Sequence, residues 1–346
     1  MTVPESARPL IIGHRGAPGY RPEHTRSSYE LAFALGADAV EPDIVATKDG
    51  ILVLRHENEI SGTTDVASRS EFADRRVTKS IDGAELTGWF TEDFTWAELS
   101  TLRSRERIPQ LRPSSASFDG SASILRLVDL LDIIDEASEA QGRQLGLVAE
   151  IKHATYFESV GLPLDDLVAS VLSQTSWSKR GGLIVEAFEK SVLAKMHARG
   201  LAARYIYLLE KKGRPFDEVA TIGKKAQKYA DVITDVGLDA LAAGADGFAV
   251  DGISVDKAML FAGAPDGETN DLVARAHQRG LDVFTWTLRP ENKFLNKYFR
   301  TDGEPSAFGD WEVEFDRILA TGIDGVFCDH PDLGVAARQV RREVRG

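Results

Sequence analysis

DAVEPDIVATKDGILVLRH, residues 38–56, holds two β-rich runs, DAVEPDIV (38–45) and ILVLRH (51–56), joined across Lys48-Asp49-Gly50. Asp-Gly is a turn dipeptide because glycine reaches positive φ at no steric cost. A parallel crossover needs about a dozen residues or more, so this short link makes a hairpin and the second run comes back antiparallel. Outward from the hairpin, PLIIGH (9–14) precedes it, and LGLVAEIK (145–152), GLIVEAF (182–188), ARYIYLL (203–209), DGFAVD (246–251), LDVFTW (281–286) and IDGVFC (323–328) follow. Helical spacing of apolar residues fills 25–35, 124–140, 165–174, 190–199, 269–279 and 312–321, with Thr25 a plausible N-cap and Gly36 a stop for the first of these. With the returning arm of the hairpin set aside, eight strands alternate with helices. That is the pattern of an α/β fold, specifically a (β/α)8 TIM-type barrel.

Two regions depart from the rhythm. Residues 61–123 are too long for an ordinary loop and carry the aromatic run GWFTEDFTW (88–96). They read as an inserted subdomain after the hairpin, within a barrel domain spanning 8–340. Residues 287–311 follow a strand end, where a barrel loop borders the active site.

The chain has 346 residues, 43% of them apolar, ample for one large core. Its net charge of −13 repels nucleic acid and anionic membranes, so an anionic substrate has to be held by a local cluster of positive charge. Cys328 is the only cysteine, which excludes an intrachain disulfide and suits a reducing compartment. The start, MTVPESARPLIIGHRG, lacks a basic segment followed by a long apolar run, and nothing approaches about 18 uninterrupted apolar residues. The expectation is a cytoplasmic protein without a signal peptide or stable membrane association.

Ionisable residues gather at the ends of the early strands. Gly13-His14-Arg15-Gly16 closes the first. Glu41 and Asp43 lie two apart on the next, so both face one side, with Cα atoms roughly 7 Å apart at about 3.3 Å of rise per residue. Centring the hairpin turn at Lys48-Asp49 sets His56 opposite Glu41 or Pro42, and brings it near both carboxylates. Pro42 lacks an N–H and belongs where strand pairing is already irregular. LGLVAEIK ends in Glu150 and Lys152, again on one face. Glu41, Asp43 and Glu150 therefore form a hard-oxygen set for one divalent cation, Ca²⁺ or Mg²⁺ rather than zinc. His14 and His56 provide acid–base groups near neutral pH, and Arg15 and Lys152 provide charge for a phosphate. The inventory suits displacement at a phosphodiester.

These residues resemble the glycerophosphodiester phosphodiesterase family. The matching stretches are IIGHRGAPGYRPEHT (11–25), GADAVEPDIVATKDGILVLRH (36–56), VAEIK (148–152), VEAF (185–188), VFTWTL (283–288) and IDGVFCDHP (323–331). The PEHT form, TDVA (64–67) and EDFTWAELSTL (92–102) look closest to the branch that hydrolyses small, water-soluble glycerophosphodiesters. The resemblance implies a barrel with an insertion after the hairpin. It implies His14 and His56 as the acid–base pair, Glu41, Asp43 and Glu150 as cation ligands, and Arg15 and Lys152 on the phosphate. Phe188 and Trp286 would line the alcohol side, and Glu23 would orient His14 or an arginine. It also implies attack by the substrate's own neighbouring glycerol hydroxyl, then opening of a cyclic phosphate by water. The products would be sn-glycerol 3-phosphate and an alcohol.

The chain departs from the family pattern at His56-Glu57-Asn58-Glu59-Ile60-Ser61-Gly62, where Glu57 replaces an aspartate and Gly62 an arginine, and at Glu186-Ala187, where Gln-Ser is usual. These changes fall on the pocket rim and spare the metal and histidine positions. A barrel phospholipase acting on lipid phosphodiesters and a non-catalytic phosphodiester-binding protein are the competing readings. His153 is expected to cap or face outward, and His197 and His277 to lie on the surface. Trp89, Trp96 and Trp177 are read as packing, and Asp329 and His330 as equally suited to structure or to the rim.

Overall fold

The computed structural model describes residues 8–245 and 247–345. In chain order the strands are β1 (Leu10–His14), β2 (Ala39–Glu41), its continuation β3 (Asp43–Ala46) and the returning arm β4 (Leu52–Leu54). An outlying ribbon follows, β5 (Val77–Ile81) and β6 (Ala84–Gly88), and then β7 (Gly146–Ile151), β8 (Leu183–Ala187), β9 (Arg204–Leu209), β10 (Gly252–Asp256), β11 (Asp282–Leu288) and β12 (Gly325–Cys328). Neighbours run β2-β1-β12-β11-β10-β9-β8-β7, and β7 pairs back with β2. This closes a parallel barrel of eight strands with helices on the outside, among them Arg26–Ala34, Leu127–Gln141, Leu164–Ser173 and Pro331–Arg345.

The hairpin forms as its turn chemistry predicts. Gly50 has φ +77° and donates to the carbonyl of Thr47 at 3.0 Å. Ile44 pairs with Leu54 and Ala46 with Leu52, a register that extrapolates to His56 opposite Pro42. The proline sits at a change of neighbour: β2 pairs with β1, whereas β3 pairs with β4. A residue without an N–H is tolerated at such an interruption.

The barrel interior is plugged by Ile12, Ala39, Val148, Ile184, Ile206, Phe284 and Phe327, which form a core of their own. Because side chains alternate along a strand, the residue two positions further on also points inward, now above the plug. These residues are His14, Glu41, Glu150, Glu186, Leu208, Trp286 and Asp329. The apolar plug excludes water from below, and the row above it forms the floor of the site.

One expected strand is misplaced. Residues 246–251 are not a strand among the described residues, and Asp246 lies outside these; the strand is Gly252–Asp256. Gly247 takes φ +101°, which breaks extended backbone, and the Asp251 carboxylate accepts from Tyr205 N at 2.7 Å, tying the preceding run to the barrel's lower edge. The segment from residue 55 to 126 leaves the rim after β4 and packs back on it: Arg55, fully buried, donates to Ser104 Oγ at 2.7 Å.

Candidate active site

The strand ends open into a cavity of about 950 Å³, at the upper end of the range for small-molecule sites. His14, Arg15, Glu41, His56, Glu150, Lys152, Phe188 and Trp286 all line it.

Glu41, Asp43 and Glu150 are buried, and each offers a carboxylate oxygen within 4.8 Å of the others. Glu41 Oε2 accepts from Arg15 N at 3.0 Å, while Glu41 Oε1 has no hydrogen-bond partner among the described residues. Asp43 is the hub. Its Oδ2 lies 3.0 Å from Arg15 Nε and 2.9 Å from His24 Nε2, and its Oδ1 lies 3.0 Å from Lys152 Nζ. Lys152 Nζ also sits 2.6 Å from Glu150 Oε1. Burial opposes charge on Asp43, yet Lys152 and Arg15 hold its carboxyl well below the usual range. Burial and the neighbouring acids push Glu41 well above it, and burial pushes Glu150 up to about 8. Two arginine and lysine charges thus satisfy one carboxylate and leave two destabilised. A bare oxygen on Glu41 beside two other carboxylates is the donor set a hard divalent cation takes.

The two histidines are built alike. His14 Nδ1 lies 2.6 Å from Asp329 Oδ1, and His56 Nδ1 lies 2.5 Å from Glu57 Oε1. Asp329 is held well below the ordinary carboxylate range by Arg289 and Arg112 against the effect of burial, and Glu57 is lowered mainly by His56 and Arg107. Ionised carboxylates accept only, so each ring donates through Nδ1 and leaves Nε2 as the acceptor nitrogen. Burial and the Arg15 charge push His14 down to about 4; burial, Arg15 and Lys152 push His56 down to about 3. His56 is a third exposed on its side chain, so water moderates the burial effect at that ring.

Glu23 contacts arginines and not His14: Arg15 Nη1 at 3.1 Å and Arg107 at 2.6–2.9 Å. Arg107 also reaches Glu57 Oε1 at 3.0 Å, so one guanidinium from the excursion braces the roots of both histidine-bearing segments. Arg15 and His24 both adopt positive φ, +55° and +57°, a conformation L-residues hold only where surrounding contacts fix it. Gly16 follows at φ +98°, and a Cβ there would meet Ser28 Oγ at 2.4 Å.

Several residues of the site were not singled out from the sequence. His24 is fully buried and bridges Asp43 to Tyr29, whose Oη lies 2.7 Å from His24 Nδ1. Arg112 joins Glu291 at 2.7 Å to Asp329 at 2.6 Å. Glu186, read from the sequence as a change on the pocket rim, lies instead on the floor beside Glu150 in the sheet register, buried with Oε2 unpartnered and raised well above the usual range by burial and by Glu150. Counting two residues on from each plug position finds Glu186 and Asp329. Nothing local marks Arg112. His153 takes the N-cap position of the helix Ala154–Ser159 but makes no side-chain cap bond: at φ +50° it lines the cavity, with Nδ1 2.6 Å from Asp82 Oδ2. His197 and His277 are exposed, Trp89 and Trp177 are packed inside, and His330 is stacked edge-on between Tyr20 and Phe308.

Arg112 carries a stability consequence. Removing one partner of a buried ion pair strands the other charge and costs about 3–5 kcal/mol. Arg112→Met is expected to lower the unfolding free energy by about 3–5 kcal/mol: Asp329 keeps Arg289 at 2.6 Å, whereas buried Glu291 is left with no cation among the described residues. Urea unfolding checks this as a lowered midpoint at constant slope.

The model of the glycerophosphoryl diester phosphodiesterase family matches residues 14–333. The chain belongs to this family. Its place there makes it a phosphoric diester hydrolase. A glycerophosphodiester phosphodiesterase of Arabidopsis thaliana is 30% identical over 337 residues, covering 94% of this chain and 84% of the relative. One from Haemophilus influenzae is 27% identical, covering 94% and 88%. Among solved structures, the fold is shared with a Silicibacter pomeroyi protein described as a putative family member (TM-score 0.67, 21% identity, 98% and 97% covered). It is also shared with an Oleispira antarctica phosphodiesterase in complex with the product sn-glycerol-3-phosphate (TM-score 0.62, 18% identity, 96% and 97% covered). Among the described residues no helix is long and apolar enough to cross a membrane.

Proposed function

We propose that this family member hydrolyses glycerophosphodiesters to sn-glycerol 3-phosphate and an alcohol, with one divalent cation bound by Glu41, Asp43 and Glu150. The observation that carries the reading is the pair of imidazoles, each fixed through Nδ1 by a carboxylate, opening on the same cavity as the three clustered acids. The Oleispira antarctica complex supports it, since that protein holds the same product. Residues 61–123 we read as an inserted subdomain of the barrel domain, 8–340.

Arg15 and Lys152 hold the non-bridging phosphate oxygens and offset their charge. A Ca²⁺ or Mg²⁺ ion in the carboxylate set supplies further positive charge there. One imidazole takes the proton of the substrate's neighbouring glycerol hydroxyl through Nε2 as that oxygen attacks phosphorus. The other, protonated in the field of the phosphate, gives its proton to the departing alcohol. In the second stage the roles reverse: the second imidazole takes a proton from water, and the first returns its proton to the glycerol oxygen as the ring opens. Phe188 and Trp286, edge to face at 5.8 Å, wall the alcohol side.

The direct test is enzymatic release of glycerol 3-phosphate from glycerophosphocholine, before and after EDTA. We expect release that EDTA abolishes and added Ca²⁺ or Mg²⁺ restores. The cation should also raise the melting temperature by several degrees, since saturation at about 1,000 times Kd stabilises by about 4 kcal/mol. Turnover and melting both indifferent to EDTA would remove the cation from the account; absence of any glycerol 3-phosphate would refute the reaction.

A further inference from the structure

The cavity is chemically divided. The β1, β2/β3 and β7 side carries the histidines, Arg15, Lys152 and the carboxylate triad. The β8–β11 side has no assigned role beyond the two aromatic walls. Phe188 there packs edge to face against both Trp286 at 5.8 Å and Tyr229 at 6.2 Å. Four carboxylates line the same side: Glu186, Glu189, Glu210 and Asp256.

The acids on this side have no ion-pair partner among the described cations that line it. Lys257 is bound to Glu314 and Arg289 to Asp329; Arg214, turned onto the neutral carbonyl of Ala226, keeps its charge, one cation against four carboxyl groups. Lys152, 5.7 Å from the Phe188 ring centre, is committed to Asp43 and Glu150. Of the acids, Glu189 accepts from the backbone and hydroxyl of Thr155, and Asp256 accepts from Ala258 N at 2.8 Å. Glu186 is nine-tenths buried or more, with Oε2 unpartnered. Glu210 stands on the exposed wall of the cavity. Gly213, at φ +103°, lies beside Glu210 Oε2 and the Tyr229 ring on that wall.

Aromatic faces beside uncompensated carboxylates recognise an ammonium or quaternary ammonium group, drawn by the ring quadrupoles and by the charge. We propose that the β8–β11 side is a subsite for a cationic alcohol, so that the enzyme prefers glycerophosphodiesters whose leaving alcohol bears an alkylammonium group over those with an uncharged one. This rests on the proposed function, and deepens it by naming the substrate class. A neutral polyol gains nothing from acids that lack a cationic partner, and an anionic headgroup is disfavoured beside them.

The experiment compares kcat/KM of the metal-loaded enzyme for glycerophosphocholine and glycerophosphoethanolamine with that for glycerophosphoglycerol and glycerophosphoinositol. The cationic pair should lead by about tenfold or more, the scale of one to two cation–π contacts. Glu210→Gln should narrow that ratio about threefold, and Glu210→Lys should erase it; the position is exposed, so both variants should fold. Equal kcat/KM across the four substrates, or a ratio unmoved by Glu210→Lys, overturns the subsite while leaving hydrolysis intact. If no substrate yields glycerol 3-phosphate, the reaction itself fails. Saturation-transfer NMR with choline chloride and with glycerol then tests the subsite alone: transfer to choline that is lost in Glu210→Lys supports it, and transfer equal for choline and glycerol refutes it.

Discussion

Alanine at His14 or at His56 is expected to lower kcat for a glycerophosphodiester at least about 100-fold, the scale of a lost general acid or base. Each ring is wedged by its carboxylate partner, Asp329 or Glu57, so alanine removes the proton-transfer group and also frees a buried or half-buried acid. A structural effect alone would follow that acid, and asparagine at 329 or glutamine at 57 would then match the histidine variants. If the rings transfer protons, these milder changes keep the imidazole and lose only its fixed tautomer, with a smaller fall in kcat. The double variant His14→Ala/His56→Ala should fall little below the worse single one, because both groups serve one concerted displacement. Strictly additive losses in log kcat would contradict the pairing. Near-wild-type turnover in either single variant would remove that residue from the chemistry.

Asp43→Asn is expected to have the other large effect: loss of turnover by about 1,000-fold and of cation affinity by more than about 100-fold, beyond the usual cost of altering a residue that only supports a ligand. The amide is isosteric, so the change is one of charge. Arg15 Nε, His24 Nε2 and Lys152 Nζ all lie within 3.0 Å of the Asp43 oxygens, and an asparagine NH₂ must face one of these donors. Arg15 retains Glu23 at 3.1 Å and Lys152 retains Glu150 at 2.6 Å, so both cations keep a partner while the hub between them is lost. The unfolding free energy should drop by about 3 kcal/mol or more, as for a broken buried pair. Isothermal titration with Ca²⁺ separates the two effects. Wild-type affinity in a folded Asp43→Asn protein would show that the carboxylate serves packing rather than the ion.

The barrel and much of the candidate site were legible because both obey period two. The turn at Lys48-Asp49-Gly50 placed His56 opposite Glu41 or Pro42, and the register of Ile44 with Leu54 extrapolates to Pro42. The pairs Glu41/Asp43 and Glu150/Lys152 converge because alternation put each pair on one face. What stayed hidden depends on contacts across long stretches of chain. DGFAVD and GISVD carry the same alternation of apolar residues, and only the positive φ of Gly247 and pairing with β9 and β11 select the second. His24 looks like a loop residue beside Glu23 until the left-handed backbone turns its ring onto Asp43. Arg112 sits in an excursion with no periodic pattern, and its partners Glu291 and Asp329 lie 179 and 217 positions away.

The contact between His14 and Asp329 spans 315 positions, from the first strand of the ring to the residue after the last. It can form only once β12 docks against β1. On the proposed chemistry, turnover is a reporter of circular completion. A chain released before β12 could assemble most of its architecture and still leave His14 without Asp329, and a protease cut in the last strand should lower turnover before it dismantles the scaffold. Loops of this span are slow to close, so during refolding activity should return later than the far-ultraviolet signal of the helices.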